Sequence, residues 1–391
     1  MRHGDSVPSG PAGEKLPLTL LWVESTTDST AAGAHLRGTV ARLAPELFEL
    51  RVFTRSIDGP AWIPGRLRKP WRIASVLGRA KLARPRGVLL ARWSPFVALV
   101  SRRWIRAGVP LVLFVQGNLD DLYDSNPWTR RVPWLTSMAL ASIRDAAAVV
   151  TPSEGLARWV GAVRGADVEG TVTVIPNGVD LPLFDRARSD PTADTTEGPY
   201  AVFFGNMATW QGVDTILHAL ADPRWPADLA LKVIGDGPLA REVQASSDPR
   251  VHYLGRRPKP EVAQIVAGAQ IALATRSDVA ASATGVSPFK VIEAAAAGTP
   301  AVVTQVPGQE ELARDIGGAL LIPPGDPAAL ADAVATLHAD ADLRARLTER
   351  GLVGVRAYDW AARADELRTV VGSVATADRV AGGIRSLGRR A

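Results

Sequence analysis

The stretch Ser287–Thr304, SPFKVIEAAAAGTPAVVT, reads as one helix handing over to one strand, and this alternation decides the fold. Ser287 is a good N-cap, and Pro288 suits the first helical position. Alanine favours the helix interior, Gly298 is placed to end it, and Thr299-Pro300 leads into the strand AVVT. Two charges, Lys290 and Glu293, stand on the first turns, where a helix that only packs on a sheet gains little from them. The helix follows another strand, AQIALA, so it begins on the side of the sheet where strands end. Its free N–H groups and dipole favour an anion there. Lys290 adds a point charge toward a phosphate, and Glu293 can accept hydrogen bonds from hydroxyls. A capped amphipathic helix with an internal Lys290–Glu293 pair fits the same residues, and both readings stand at this point.

The alternation continues on either side. Strand patterns at LTLLWVE, LFELRVF, GVLLAR, PLVLFVQ, AAVVTPS and VTVIP are separated by helical spacers, the first of them placed over LRGTVARLA. After RARSDPTADTTEG (186–198), a polar stretch without periodicity, the pattern restarts with YAVFFG, LALKVIG, VHYLG, AQIALA, PAVVT and ALLIP. Strands alternating with helices argue for parallel, doubly wound sheets. The expected organisation is an α/β chain of two Rossmann-like domains. A flexible tail covers 1–15, a first domain 16–185, a linker 186–198 and a second domain 199–357. A basic helical segment, 358–391, returns to the first domain. Such sheets hold ligands outside the carboxyl ends of their strands, which makes a cleft between the two domains the expected site.

Composition narrows the function classes. The 391 residues carry 47% hydrophobic and 22% charged residues, the profile of a globular chain long enough for two cores. There is no cysteine, which excludes disulfides and thiolate metal sites and fits a reducing compartment. The five histidines are scattered without ligand spacing, and no carboxylate cluster marks a bridging metal. No signal-peptide core follows the N-terminus and no apolar run is long enough to span a bilayer, so the expected location is the cytoplasm. The charge is uneven. Between Asp58 and Asp120 there are twelve Lys and Arg and no acid, so with a net charge of +5 the rest of the chain is net negative. The same interval carries Trp62, Trp71, Trp93 and Trp104. Tryptophan with arginine suits an anionic membrane face. A solvated basic surface and a nucleic-acid face are the alternatives, the last of which is set aside in the reading adopted.

Several segments together resemble the retaining nucleotide-sugar glycosyltransferases of family 4, which have the GT-B fold. In order, these are VTPSEGLARWV (150–160), VIPNGVD (174–180), FFGNMATWQGVD (203–214), LKVIGDGPL (231–239), VHYLGRR (251–257) and the opening stretch. Upstream, LLARWSPFV and GVPLVLFVQGN resemble the family's N-terminal domain, so the likeness runs from about residue 18 to about residue 370. The resemblance implies transfer of a sugar from a UDP- or GDP-type donor to a glycan or lipid-linked acceptor, with retention and without metal or other cofactor. It assigns Glu293 to the nucleotide ribose; Lys290 is read beside it as the charge that takes over at the leaving phosphate, and these two are the candidate catalytic residues. Gly33, Gly205, Asn206, Gln211, Arg256, Gly285 and Ser287 fall at donor-side positions, with Gly33 in the loop before the first helix and Arg256 near the base. Arg92, Gln116 and Asn118 fall on the acceptor side, with His35 nearby.

The chain departs from the family pattern at four places. Gly285 stands where the first glutamate of the pair belongs, Asn206 and Gln211 stand where the usual phosphate cations belong, and Gln116-Gly117 stands for His-Gly. An epimerase or sugar phosphorylase on the same fold, and a non-catalytic basic membrane-binding protein, are the competing readings.

Overall fold

The computed structural model describes residues 15–24, 31–39, 42–43, 48–54, 62–83, 86–165, 170–190, 198–277 and 287–387. The chain forms two compact units. The first takes in the described residues up to Pro176 and those from Ala361 onward, and the second is Asn177–Trp360.

In the first unit, strands β1 (Leu16–Leu21), β2 (Phe48–Phe53), β3 (Val88–Arg92), β4 (Leu111–Phe114), β5 (Ala148–Thr151) and β6 (Val172–Val174) form one sheet in the order β2-β1-β3-β4-β5-β6. Every pairing is parallel. A parallel sheet needs cover on both faces, and the side chains show it. Leu21, Leu89, Ala91, Leu111 and Leu113 lie in one apolar cluster, while Leu18, Leu20, Leu90, Val112 and Phe114 lie in another. Neighbours along a strand thus go to opposite faces, as the two-residue period of the strand demands. The last helix, Trp360–Leu387, contributes Leu367, Val371 and Val374 to the second of these clusters at helical spacing.

The second unit repeats the plan. Strands β7 (Tyr200–Asn206), β8 (Ala230–Asp236), β9 (Val251–Gly255), β10 (Ile271–Ala274), β11 (Ala301–Thr304) and β12 (Ala319–Ile322) run parallel in the order β12-β11-β10-β7-β8-β9. Val202, Phe204, Ala272, Ala274 and Val303 feed one core, and Ala201, Phe203, Ile271, Leu273 and Val302 the other. At about 1.5–3 kcal/mol for each large apolar side chain fully buried, these two stripes are a main source of the unit's stability. The α/β class with two doubly wound sheets is therefore what the strand patterns indicated.

Local boundaries differ from expectation in three places. The first helix is Ala31–Gly38, so Gly33 lies inside it and not in a preceding loop. Ala31 and Ala32 extend the helix toward the N-terminus at little cost. The polar stretch expected to link the domains from residue 186 begins inside the helix Leu181–Ser189. Phe184 and Ala187 are buried in the second unit's core, while Arg186 is exposed and Arg188 donates to Ala296 O at the end of the helix Phe289–Ala296. The first unit accordingly ends at Pro176, and Tyr358 still packs in the second. The tail 1–14 and residues 191–197 lie outside the described residues.

Candidate active site

In each unit the strand order reverses direction at one place. Loops leaving the carboxyl ends of the two strands there diverge to opposite faces, and ligands of open α/β sheets sit in the gap. In the second unit this place lies between β7 and β10. The turn after β7, Thr209–Gln211, is pinned to the loop after β10. Thr275 Oγ1 donates to Gln211 O at 3.1 Å and Ser277 N to Trp210 O at 3.2 Å. The buried Gln309 ties the neighbouring strand ends, donating through Nε2 to Ala274 O and Thr304 Oγ1, both at 2.8 Å.

Lys290 reaches into this gap from the first turn of the helix Phe289–Ala296. Gly205, at φ +122°, makes room for it: a Cβ there would lie 3.2 Å from Lys290 Cε and 3.4 Å from Nζ. The ammonium donates to Gln211 Oε1 and stands 4.5 Å from the centre of the Phe203 ring. Burial, then the neighbouring Arg276, pulls its pKa down from 10.5 to about 7, with Glu293 opposing. Arg276 is itself buried, and its backbone N–H donates to Thr304 Oγ1 at 2.8 Å. Glu293, 7% exposed, is not the partner of Lys290; its Oε1 lies 2.5 Å from Lys259 Nζ.

Ser287 does not cap the helix. Pro288 takes the N-cap place in an extended conformation, and the helix starts one residue later. The serine instead accepts from Asn177 N through Oγ at 3.0 Å and from Asn177 Nδ2 through its carbonyl at 2.5 Å, fastening the IPNG turn to the helix. Asn206 ends β7 and its side chain lies against Gly237. Arg256 is 72% exposed and pairs with Asp236 at 3.2 Å. Gly285 lies outside the described residues.

In the first unit the reversal lies between β1 and β3. A pocket of about 430 Å³ opens there, and Glu24, Lys69, Arg72, Arg92, Gln116 and Asn118 are among its lining residues. Arg92 Nε stands 4.0 Å from Glu24 Oε1, and the guanidinium lies 5.9 Å from the Trp22 ring. Burial raises the Glu24 pKa against the pull of Arg92 and Arg72, and burial likewise lowers that of Arg92. Three buried polar atoms in this pocket have no hydrogen-bond partner among the described residues: Glu24 Oε2, Arg92 Nη1 and Gln116 Nε2. Such groups cost about 1–3 kcal/mol each if left unsatisfied, so the pocket is built for a polar guest.

Asn118 has a different duty. Its side chain accepts from Asp121 N at 3.0 Å while Asp121 accepts from Asn118 N at 2.9 Å, a capping box for the helix Leu119–Ser125. His35 is buried edge-on to Phe114, outside the pocket lining. Of the interval's tryptophans, Trp93 and Trp104 belong to the core and Trp62 is 79% exposed. Arg72 also turns inward, donating to Val23 O at 3.3 Å. The sequence reading did not single out Arg276, Lys259 and Glu24. Each stands just beyond a strand or at a helix start, the position that marked Arg256 and Arg92.

Comparison with known proteins bears on both units. Residues 33–182 match the family described as Glycosyltransferase Family 4, and residues 198–340 match the one described as Glycosyl transferases group 1. The chain is similar to a D-inositol 3-phosphate glycosyltransferase of Corynebacterium efficiens, 28% identical over 53% of this chain and 52% of that protein. A phosphatidyl-myo-inositol mannosyltransferase of Mycobacterium tuberculosis is 29% identical over 56% of this chain and 57% of its own length. The chain thus spans about half the length of these curated relatives. Among solved structures, Anabaena HepE in complex with UDP-glucose superimposes with a TM-score of 0.68 at 17% identity, over 92% of this chain and all of the other.

Proposed function

Since the chain belongs to the family 4 glycosyltransferases of GT-B fold, we propose that it moves a sugar, with retention, from a nucleotide diphosphate sugar held in the second unit. The acceptor is a hydroxyl-bearing molecule bound in the first. The observation that carries the donor half is Lys290, a lysine placed over a side-chain-free glycine at the strand-order reversal, on the first turn of a helix. An ammonium with a pKa near 7 needs an anion beside it to hold its charge. The leaving diphosphate supplies that anion, and its charge grows as the sugar bond breaks. The protein's contribution is then charge stabilisation and positioning. The diphosphate oxygen takes the acceptor proton on the face it leaves, so the anomeric configuration is kept without a protein nucleophile. Glu293 faces the ribose hydroxyls, and Gly205, Asn206, Gln211, Ser287 and Arg256 surround the remaining donor atoms.

The acceptor half rests on the three unsatisfied polar atoms of the first unit's pocket. Glu24 accepts from a hydroxyl, while Arg92 and Gln116 donate. Lys69 and Arg72 beside them favour an acceptor that also carries a negative group, as the names of the relatives above describe for those proteins. The test is direct: incubate the chain with UDP- and GDP-sugars and with inositol phosphate or phosphatidylinositol, then read the product's mass and anomeric configuration. A retained glycoside is expected. An inverted product overturns the mechanism, and sugar phosphate formed from inorganic phosphate overturns the transfer.

Membrane association belongs to the same reading. Trp62 stands exposed just before the basic helix Gly65–Leu82, whose Arg79, Lys81 and Leu82 face solvent. No described helix is long and apolar enough to cross a membrane, so the contact proposed is at a bilayer surface.

A further inference from the structure

The edge of the first unit's pocket carries apolar surface left open to solvent. Trp128 and Trp134, 46% and 59% exposed, stand in the stretch PWTRRVPW (127–134). It folds as a short 3-10 turn, Pro127–Arg131, and the start of the helix Pro133–Asp145. The turn is firmly held. Thr129 is fully buried, and its Oγ1 and backbone N–H donate to Asn126 O at 2.7 and 2.9 Å, while Val132 N donates to Thr129 O at 3.0 Å. The Trp128 ring centre lies 5.9 Å from that of Phe96, and Phe96 and Asn126 both line the pocket. Leu99, also exposed, is one turn beyond Phe96 on the helix Pro95–Arg106. The pocket therefore has an apolar lip of fixed shape.

The charge of this lip is positive. No Asp or Glu occurs from 125 to 144. Arg130 and Arg131 are exposed, the former with its guanidinium 5.1 Å from the Tyr123 ring. Lys69 joins the same edge, donating to Asn126 Oδ1 at 2.9 Å. Asp121, the acid that lines the pocket nearby, is held in its capping box. Tryptophan, with an apolar body and one N–H, suits the headgroup level of a bilayer, and arginine beside it suits anionic lipid. The two rings, each about half exposed, offer on the order of 250 Å², whereas a stable protein partner covers about 800 Å² on each side. So small an apolar patch, ringed by cations, fits a membrane surface better than a protein.

We propose that the lip Pro127–Trp134 docks on an anionic bilayer and sets the edge of the pocket at headgroup level. This deepens the reading that an acceptor binds in that pocket, since it makes the membrane the place from which the acceptor is taken. The chain has no cysteine, so single dyes can be placed. Ser137→Cys, exposed one turn beyond Trp134, and Ala162→Cys, exposed near the far end of the helix Glu154–Arg164, each carry a polarity-sensitive dye. With vesicles of phosphatidylcholine and phosphatidylglycerol at low salt, the dye at 137 should report an apolar setting and the dye at 162 should not. Trp128→Ala with Trp134→Ala should weaken vesicle partitioning on the order of tenfold. Arg131→Gln should weaken it about fivefold, on anionic vesicles only, and the difference should vanish at high salt. Three results overturn the proposal: no vesicle binding by the wild type, an equal response at 162, or unchanged partitioning in the folded double variant. Trp128→Phe with Trp134→Ala serves if that variant does not fold. Vesicle binding needs no acceptor, so a chain that docks but transfers no sugar keeps the lip and loses the acceptor reading. One that glycosylates a soluble acceptor and ignores vesicles does the reverse.

Discussion

Lys290 is held where a lysine keeps its charge only with help. Its folded pKa, about 7, lies below the ordinary 10.5, so between these values the unfolded chain binds the extra proton. The lysine therefore penalises the fold at low pH, and the penalty fades as pH rises through that window. Ligand binding runs the other way. A diphosphate favours the charged form, so its affinity should fall as pH rises above about 7, by up to about tenfold per unit. Calorimetry in buffers of different ionisation enthalpy should show proton uptake near pH 8, and Lys290→Met should abolish both effects. Lys290→Ala should lower kcat by about 100- to 1,000-fold, the usual cost of removing one positioned charge-stabilising group. The effect should fall on kcat more than on donor KM, because leaving-group charge grows toward the transition state. Near-normal kcat in that variant would shift the duty elsewhere. Glu293 supports a separate prediction. Glu293→Gln should raise donor KM, whereas Lys259→Met should leave it unchanged. If the pair is only structural, both variants should lower the melting temperature alike and leave KM alone.

At the scale of elements, the helix Gly65–Leu82 has two faces with different duties. Arg72, Val76 and Ala80, spaced by four, turn inward, and Arg79, Lys81 and Leu82 turn outward. Neutralising Arg72 would damage the pocket rather than the surface. The membrane proposal is therefore tested by Trp62→Ala with Arg79→Gln and Lys81→Gln. Binding to anionic vesicles should drop in this variant and weaken as salt rises, since each basic residue near such a surface is worth about 1 kcal/mol. A chain that ignores anionic vesicles at low salt removes this part of the reading. The terminal helix offers a stability test. Leu367 is fully buried against the first unit's sheet, so Leu367→Ala should cost about 2–5 kcal/mol in denaturant unfolding. A smaller loss would mean that the helix is loosely docked there.

For the molecule as a whole, the twelve strands among the described residues and their grouping into two parallel sheets were legible in the sequence. Apolar runs such as LVLF and AVVT have no polar face, and such runs are stable only between two layers of helices. The place of Lys290 and Glu293 on a helix that follows a strand was legible too, because such a helix puts its first turn at the carboxyl end of the sheet. What the sequence by itself determined is thus local and periodic: which segments are strands, which are helices, and which residues stand at their ends. Tertiary structure alone decided the partners. Lys290 donates to Gln211, 79 positions away, Glu293 turns to Lys259 rather than to the lysine on its own helix, and Ser287 holds Asn177, 110 positions away, instead of capping. It also turned Arg72, Trp93 and Trp104 inward from a segment that looked like an open basic face. The physical reason is that spacing along a chain specifies direction only within one element. Which charge faces which is settled by the packing of several elements, at distances the sequence order does not contain.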